Sequence, residues 1–455
     1  MATFNFSTIT AAEALAITAA DTLILDQGTG ATTTVLFSAP DAITIVIGMR
    51  SVTFGVAVAG ATKTFTDGGI LFIGTPSSEQ ATTEAGGDGL YGGAGGDTLN
   101  AGDGANLLQG NQGNDSLLGG AGVDIIYGGQ DDDRIFVGAG PNPGGSNFAQ
   151  GNRGNDTISG SPTDNDTLLG GQGNDVINIT DPGTPRDLGL LDNRLGYSGG
   201  GNDFLNGNLG NDTIFAGEGN DTILGEDGDD FLQDGGGSNT ISGGAGADTM
   251  IARANNTIDG GAGNDVVGMD TGQFVIQLGD GDDLCLPLDL RDTDSATVDG
   301  GAGNDAITAS SGGDSLTGGI GNDTINGGLG ADTVAGGAGA DEFQFVQGAL
   351  PGAAGGLDRI VDWAAEDRLS FVTANNAPAG AGTPANYAES TQADYVAAMI
   401  FANGMVSTGT FKYIAIQVGA DVIVFADSGA DGGNADSAVM LVGRTLADIA
   451  FDDFE

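Results

Sequence analysis

One nine-residue pattern recurs through the middle of this chain: two glycines, a variable residue, a third glycine, a variable residue, an aspartate, and an apolar residue between two variable ones. Three copies of this nonad follow one another without a gap at Gly318–Asn326, Gly327–Ala335 and Gly336–Gln344. A unit this short cannot enclose a core alone, so its copies must stack on their neighbours. The middle of the chain is therefore one array of about 22 recognisable nonads rather than a globular domain.

The glycines and the apolar position divide each nonad into a loop and a strand. Glycine adopts positive φ without strain and lets carbonyl groups approach one point, so the first half of the nonad is a loop. The apolar side chain at position eight points inward from a short strand. Two nonads should close one turn, with strands about 4.7–4.9 Å apart, which predicts an all-β fold: a parallel β-roll of about eleven turns. Position eight is occupied by Leu99, Leu117, Ile126, Ile158, Ile177, Leu205, Ile214, Ile223, Leu232, Ile241, Ile307, Leu316, Ile325 and Val334.

Position six is the candidate metal ligand. A carboxylate beside loop carbonyls gives hard oxygen ligands without nitrogen or sulfur, and such a donor set selects calcium over transition metals. Asn106, Asn239 and Asn256 occupy the same position, where a neutral amide still offers an oxygen but should bind more weakly. The predicted calcium ligands at position six are Asp97, Asp115, Asp124, Asp133, Asp156, Asp175, Asp203, Asp212, Asp221, Asp230, Asp248, Asp265, Asp283, Asp305, Asp314, Asp323, Asp332 and Asp341.

The large negative charge of the chain is consistent with the binding of many cations. It carries 62 acidic and 12 basic residues, a formal net charge of −50, together with 86 glycines. Such charge is typical of disordered chains when the acidic residues are scattered, but here they share one phase of the repeat. Ordering glycine-rich loops costs much chain entropy, and stacked carboxylates repel one another. We therefore expect that the array does not fold without about twenty calcium ions.

The segments on either side of the array lack the regular nonad pattern. We expect a β-rich N-terminal domain over residues 1–85, which either docks to a partner or caps the roll. The roll should span residues 86–344, with insertions near 137–150, 179–197 and 269–299 that are either bulges, metal-free turns or contact sites for a neighbouring molecule. Residues 345–455 should form a mixed, β-rich C-terminal domain. Its predicted elements are strands at Leu357–Trp363 and Asp367–Phe371, a helix at Gln392–Ala402, and strands at Tyr413–Gln417 and Val422–Phe425.

Two smaller features complete the sequence predictions for the flanks. The candidate strands of the N-terminal domain are separated by Gly, Asp and Pro; they are Thr22–Leu25, Thr33–Phe37, Ile43–Ile47, Val52–Val56 and Ile70–Ile73. The acidic, glycine-rich connector Asp427–Ser437 either holds one further calcium or is a metal-free turn. No basic segment precedes an apolar core at the start of the chain, and no stretch is long enough to span a membrane, so we expect neither a cleaved signal nor a membrane anchor.

Residues 92–344 resemble the repeats-in-toxin (RTX) family, whose glycine- and aspartate-rich nonads bind calcium in a parallel β-roll. The acidic and apolar tail Leu446–Glu455 is similar to the uncleaved signals of proteins exported by type I secretion. This resemblance implies export of an unfolded chain from a Gram-negative bacterium by the type I secretion machinery, and calcium-driven folding outside the cell. It does not imply a toxin, because many members of the family carry no toxic domain.

The residue inventory argues against the enzymes found among RTX proteins. The chain has no histidine, which excludes a serine-histidine-aspartate triad and the zinc protease of serralysin-like relatives. Gly196–Gly200 matches the G-x-S-x-G nucleophile pattern, but no imidazole is present to activate Ser198. Cys285, the single cysteine, occupies position eight of a nonad and should be a buried core thiol. The negative charge also argues against nucleic acid as a direct partner.

The sequence therefore predicts a secreted, calcium-dependent structural protein of the cell surface. In the leading hypothesis, copies of the chain assemble into a surface layer or filament. The alternative is an adhesin or biofilm-matrix protein that binds glycans or surfaces, with lipopolysaccharide or another cell-surface glycan held through calcium. A third reading is an enzyme whose site the sequence does not reveal.

Overall fold

The computed structural model of the chain describes residues 2–39, 42–59, 62–66, 68–138, 146–161, 164–178, 201–288, 295–346, 356–372, 382–408, 410–427 and 435–454. By contact density these residues divide into two compact units, Met1–Asn239 (unit 1) and Thr240–Glu455 (unit 2). This division falls within the repeat array and leaves the boundaries predicted at residues 85 and 345 as predictions. Strands account for 51% and helices for 7% of the structure, which confirms the predicted fold class.

Unit 1 begins with strands around one short helix. The hydroxyl of Thr10 accepts a hydrogen bond from the N–H of Glu13, whose carboxylate accepts one from the N–H of Thr10, so a capping box starts this helix. A parallel sheet is formed by β1, β2 and β6, and an antiparallel sheet by β3, β4 and β5. These elements are β1 (Thr3–Asn5), α1 (Ala11–Leu15), β2 (Thr22–Leu25), β3 (Thr33–Ala39), β4 (Ala42–Ile47), β5 (Arg50–Gly55), β6 (Thr62–Phe65) and β7 (Leu71–Ile73).

The rest of unit 1 is a parallel β-solenoid whose strands alternate between two sheets. Even-numbered strands pair with the next even-numbered strand, and odd-numbered strands with the next odd-numbered strand. The strands are β8 (Gln80–Thr82), β9 (Gly89–Ala94), β10 (Thr98–Asn100), β11 (Leu107–Gln112), β12 (Ser116–Leu118), β13 (Ile125–Gln130), β14 (Arg134–Phe136), β15 (Phe148–Arg153), β16 (Thr157–Ser159), β17 (Thr167–Gln172), β18 (Val176–Asn178), β19 (Phe204–Leu209), β20 (Thr213–Phe215), β21 (Thr222–Asp227) and β22 (Phe231–Gln233).

The solenoid of unit 2 follows the same alternation, and parallel pairs join its successive even-numbered and odd-numbered strands. Its strands are β23 (Thr240–Ala245), β24 (Thr249–Ala252), β25 (Asn256–Ala262), β26 (Val266–Met269), β27 (Phe274–Asp280), β28 (Leu284–Pro287), β29 (Ala296–Ala302), β30 (Ala306–Thr308), β31 (Ser315–Ile320), β32 (Thr324–Asn326), β33 (Thr333–Ala338), β34 (Glu342–Val346), β35 (Asp358–Ile360) and β36 (Arg368–Val372).

Strand β35 connects this solenoid to a terminal mixed sheet. It pairs in parallel with β40, which runs antiparallel to β39, and β39 runs antiparallel to β38. Tyr395, Ala398, Ala402 and Val406 of the long helix pack on this sheet. The helix begins and ends a few residues later than the sequence predicts, because the side chain of Asp394 caps its first turn. The elements are β37 (Tyr387–Gln392), α2 (Tyr395–Val406), β38 (Tyr413–Val418), β39 (Asp421–Ala426) and β40 (Ser437–Leu441).

The register confirms that two nonads make one turn. Leu99 lies beside Leu117 and Leu117 beside Ile135, and all three side chains are buried. Cys285 is buried at position eight between Val267 and Ile307, as predicted. In total the described residues form about 16 turns rather than eleven. The coil is longer because segments without the glycine motif also make turns, since apolar residues at position eight suffice to continue the stack.

Insertions leave the register of the coil intact. The strand that begins at Arg134 still pairs with the one that begins at Thr157, although 23 residues separate the preceding aspartates. Part of the insertion predicted near 269–299 is itself a regular turn, formed by β27 and β28. The predicted insertion at 179–197, the Gly196–Gly200 motif and most of the Asp427–Ser437 connector lie outside the described residues. Among the helices described, none has the length and apolarity needed to cross a bilayer.

Candidate metal centre

The predicted ligands at position six all lie inside the solenoid. Every one of the aspartates predicted from the repeat is buried, with at most 3% of its surface exposed. Each immediately precedes a strand, as Asp97 precedes β10 and Asp323 precedes β32. Because strands of successive turns are in register, these aspartates form rows that run along the coil.

One oxygen of each carboxylate is used to join neighbouring turns. The backbone N–H of Asp97 donates a hydrogen bond of 2.7 Å to Oδ1 of Asp115. The N–H of Asp115 donates one of 2.9 Å to Oδ1 of Asp133, and the N–H of Asp305 donates one of 2.9 Å to Oδ1 of Asp323. Oδ1 is therefore satisfied by the backbone, and the carboxylate is held in a fixed orientation.

The second oxygen of these carboxylates is buried and accepts no hydrogen bond from the part of the chain that the structure describes. The great majority of buried polar atoms in proteins have a hydrogen-bond partner. A buried, charged oxygen without one destabilises the folded state by about several kcal/mol, because it has lost its hydration. A cation is the partner that this oxygen lacks. The feature is shared by Oδ2 of Asp97, Asp115, Asp124, Asp133, Asp156, Asp175, Asp203, Asp212, Asp221, Asp265, Asp283, Asp305, Asp323, Asp332 and Asp341.

The first glycine of a nonad keeps Oδ2 accessible to the next turn. A Cβ on Gly110 would press on Oδ2 of Asp115 and lie 2.6 Å from the carbonyl oxygen of Gly128. The same relation recurs in unit 2, where a Cβ on Gly318 would press on Oδ2 of Asp323 and lie 2.5 Å from the carbonyl oxygen of Gly336. The space that a side chain would fill is therefore faced by a carboxylate oxygen from one turn and a carbonyl oxygen from the next.

This donor set fits calcium. Calcium takes about six to eight oxygen ligands, and backbone carbonyls serve as well as carboxylates. Within the described ranges no three acidic side chains converge, so no site is built from carboxylates alone. Each position-six aspartate would instead supply one carboxylate oxygen, and the glycine loops around it would supply carbonyl oxygens.

Burial also changes the protonation of these aspartates. It raises the pKa of Asp133 to about 8, with a further rise from the carboxylates of Asp156 and Asp115, against the lowering effect of the Asp115 N–H. The same principal cause raises the pKa of Asp115 to about 7 and that of Asp323 to about 6. Without a counter-charge, burial therefore favours the protonated form of these carboxylates.

The asparagines at position six are satisfied within the protein. The oxygen of Asn106 accepts the N–H of Asp88, and its Nδ2 donates to the carbonyl of Gly104 at 3.3 Å. Nδ2 of Asn239 donates to Oδ2 of Asp234 at 2.9 Å, and Nδ2 of Asn256 donates to the carbonyl of Arg253 at 2.6 Å. The amide nitrogen thus supplies the positive end of a dipole where an aspartate site needs a cation.

The structure adds four aspartates at position six that the repeat pattern missed. Oδ1 of Asp88, Asp358 and Asp367 accepts an N–H from the neighbouring turn, as in the predicted sites. Asp166 differs, since its Oδ2 accepts hydrogen bonds from both the backbone and the hydroxyl of Ser161. All four lack the two leading glycines of the nonad but keep an apolar residue two positions later, and this aspartate-x-apolar signal would have found them.

The match to a protein-family model agrees with this geometry. The family model described as RTX calcium-binding nonapeptide repeat matches much of the chain, at residues 73–108, 91–125, 109–142, 144–177, 197–232, 224–256, 253–268, 294–316 and 308–343. Among solved structures, the extracellular lipase LipA from Serratia marcescens is similar at 20% sequence identity and a TM-score of 0.15, over 62% of this chain. The match spans 44% of the length of that lipase. No curated protein matches the chain.

Proposed function

We propose that this chain, which is an RTX calcium-binding nonapeptide-repeat protein, is a secreted structural protein of the cell surface that folds where calcium is abundant. The observation that carries the proposal is that buried position-six carboxylates, such as those of Asp115 and Asp323, have an Oδ2 atom that accepts no hydrogen bond from any residue the structure describes. Rows of such carboxylates repel one another unless cations lie between them. Folding and calcium binding are then one event.

The residues of the chain have distinct parts in that event. Oδ1 of a position-six aspartate fixes the register by accepting the N–H of the preceding turn, and Oδ2 is held toward the glycine loop. Position-eight side chains close the space between the two sheets. When bound, calcium supplies the positive charge that links the carboxylate of one turn to the carbonyls of the next.

The location follows from the concentration of free calcium. Extracellular calcium modules bind with dissociation constants on the order of 10⁻⁴ to 10⁻³ M, far above cytosolic levels. A chain with such sites stays unfolded in the cytosol, which suits export through a narrow channel such as that of type I secretion. It then folds outside the cell, where it remains at the surface.

We assign the chain a structural role, in which copies assemble into a layer or filament. This assignment is supported by the absence of histidine from the sequence and by exposed groups on the solenoid of unit 2. The carboxylates of Asp280, Asp282 and Asp299 are exposed, and calcium between such groups would join neighbouring copies. Ile320 and Leu329 expose 67% and 53% of their surfaces, which offers apolar contacts to the same neighbours.

Circular dichroism and electron microscopy of the full chain test the two parts of the proposal separately. In millimolar calcium we expect a β-sheet spectrum and ordered assemblies, and after chelation an unfolded spectrum and dispersed particles. Magnesium at the same concentration is the control, because it demands a tighter octahedral site. An unchanged β-sheet spectrum after chelation would refute calcium-dependent folding. Monomers at every protein concentration in calcium would refute assembly.

A second candidate function is that of a calcium-dependent adhesin that binds glycans. It is supported by one observation in unit 1, a groove beside the N-terminal strands that no described aspartate or glutamate lines. The two candidates share the calcium-dependent solenoid and differ in what its surface contacts.

A further inference from the structure

A groove of about 980 Å³ lies in unit 1, where the β3–β4 hairpin meets the solenoid. Val35, Leu36 and Ile43 of the hairpin form one wall, and residues of β11, β13 and β15 form the floor. No aspartate or glutamate lines the groove in the described part of the chain, although the whole chain contains 62 acidic residues. This surface therefore has a chemistry unlike the rest of the molecule.

The groove begins where the N-terminal elements stop covering the solenoid. Tyr91, Gln109 and Tyr127 lie side by side on β9, β11 and β13. Tyr91 is fully buried, and its hydroxyl donates a hydrogen bond to the carbonyl of Thr33 at the start of the hairpin. One strand further on, Gln109 is half-buried, and so is Tyr127, whose ring rests on that of Phe148 at a centroid distance of 5.6 Å. The N-terminal elements therefore cover Tyr91 completely but leave the amide of Gln109 and the ring of Tyr127 partly exposed.

The floor of the groove is rich in side chains that recognise sugars. Gln112, Gln130 and Arg153 are in register on three successive strands, with about 4.8 Å between adjacent strands, and all three residues are exposed. Amides both donate to and accept from hydroxyl groups, and an aromatic face such as Tyr127 offers an apolar platform with a polar edge. Arg153 forms no ion pair with any described residue, so its guanidinium is available to a carboxylate.

We propose that this groove binds an oligosaccharide that contains a uronic acid or another carboxylate-bearing sugar. Arg153 binds the carboxylate, the ring of Tyr127 packs against a neighbouring sugar ring, and Gln112 and Gln130 hydrogen-bond to hydroxyl groups. The proposal deepens the second candidate function and rests on it. The groove shares the glycine loop at Gly128 with a candidate calcium site, but its sugar-binding side chains differ from the position-six aspartates, none of which lines it.

Isothermal titration calorimetry of the full chain in excess calcium tests the proposal with a matched pair of sugars. The acidic probe is a hyaluronan tetrasaccharide, in which glucuronic acid alternates with N-acetylglucosamine, and the neutral probe is the N-acetylglucosamine tetramer. We expect the acidic probe to bind at least about tenfold more tightly, the factor that one charge-assisted contact provides. Equal affinity for both probes would overturn the acidic-sugar assignment, and binding of neither would overturn the site.

Two variants locate the site, and a third serves as the control. Arg153→Gln and Tyr127→Ala should each weaken binding of the acidic probe by about tenfold. Arg134→Gln removes the same charge from the exposed start of β14, outside the groove, and should leave binding unchanged. Equal losses in Arg153→Gln and Arg134→Gln would show a general charge effect and overturn the proposal. A normal calcium-dependent β-sheet spectrum in each variant separates loss of the site from loss of calcium-driven folding.

Discussion

The backbone N–H of Asp115 donates a 2.9 Å hydrogen bond to Oδ1 of Asp133, the equivalent aspartate of the next turn. One carboxylate oxygen of Asp133 is thereby committed to the register of the coil, and the other is buried and accepts no hydrogen bond from the described residues. The same arrangement recurs in unit 2, where Oδ1 of Asp323 accepts the N–H of Asp305 and Oδ2 of Asp323 accepts no hydrogen bond from the described residues. In the proposed function, metal binding and strand register therefore depend on the same side chains.

Replacing a position-six aspartate should raise the calcium concentration needed for folding. Asp323→Asn keeps an acceptor for the N–H of Asp305 but loses the charge at the buried Oδ2 position. We expect the calcium midpoint of folding to rise and the stability at fixed calcium to fall by on the order of 1–3 kcal/mol. Asp299→Asn, at an exposed position of the same unit, is the control. Equal midpoints for the two variants would argue against Asp323 as a ligand.

A methyl group at the first glycine of a nonad should have the same consequence for a different reason. The Cβ of Gly318→Ala would occupy the space between Oδ2 of Asp323 and the carbonyl of Gly336. Gly313→Ala is the matched control, because its Cβ would meet only the carbonyl oxygen of Ala331 at 3.5 Å, an ordinary contact. Calcium titrations followed by circular dichroism should show a higher midpoint for Gly318→Ala alone. If Gly313→Ala shifts the midpoint as far, then backbone rigidity rather than occupancy of the site is responsible.

Converting an asparagine of position six into aspartate should add a calcium site. In Asn106→Asp the amide that donates to the carbonyl of Gly104 becomes a second acceptor, and the two oxygens then require a cation. We expect bound calcium, measured by elemental analysis, to rise by about one ion per chain. Gln80→Glu adds the same charge at an exposed position and should add none. An unchanged ion count in Asn106→Asp would mean that the loops around it lack the remaining ligands.

Acidification should partly replace calcium. Burial raises the pKa of Asp133 to about 8 and that of Asp115 to about 7, whereas an unfolded aspartate titrates near pH 3.9. A pKa that is higher in the folded state contributes stability that is fully present below about pH 4 and is lost as the pH rises through the folded-state pKa values of about 7 and 8. Protein freed of calcium by dialysis should therefore show more β-sheet signal at pH 4 than at pH 8. Calcium affinity should change in the opposite direction and weaken on acidification, because protons compete for the same carboxylates.

Much of the solenoid can be predicted from sequence, because the sequence repeats with the same period as the turns of the coil. The eighteen-residue spacing of Asp97 and Asp115 predicts their stacking, and the apolar residue two positions after each predicts which way the strand faces. The repeat pattern missed Asp88 and Asp358 because their nonads lack the two leading glycines. Their hydrogen bonds to neighbouring turns come from stacking on an adjacent turn, which a search for the whole motif does not detect.

The sequence by itself determined that the chain coils, that aspartates form rows and that calcium is the ion these rows suit, because each of these depends on a local period. Only the tertiary structure decided which oxygens remain for the ion, since Oδ1 is taken by a backbone group one turn away. It alone also revealed that Ser161 satisfies Asp166 and that the hairpin stops short of Tyr127 to leave a groove. These features arise from contacts between residues far apart in the chain, and no local pattern encodes such contacts.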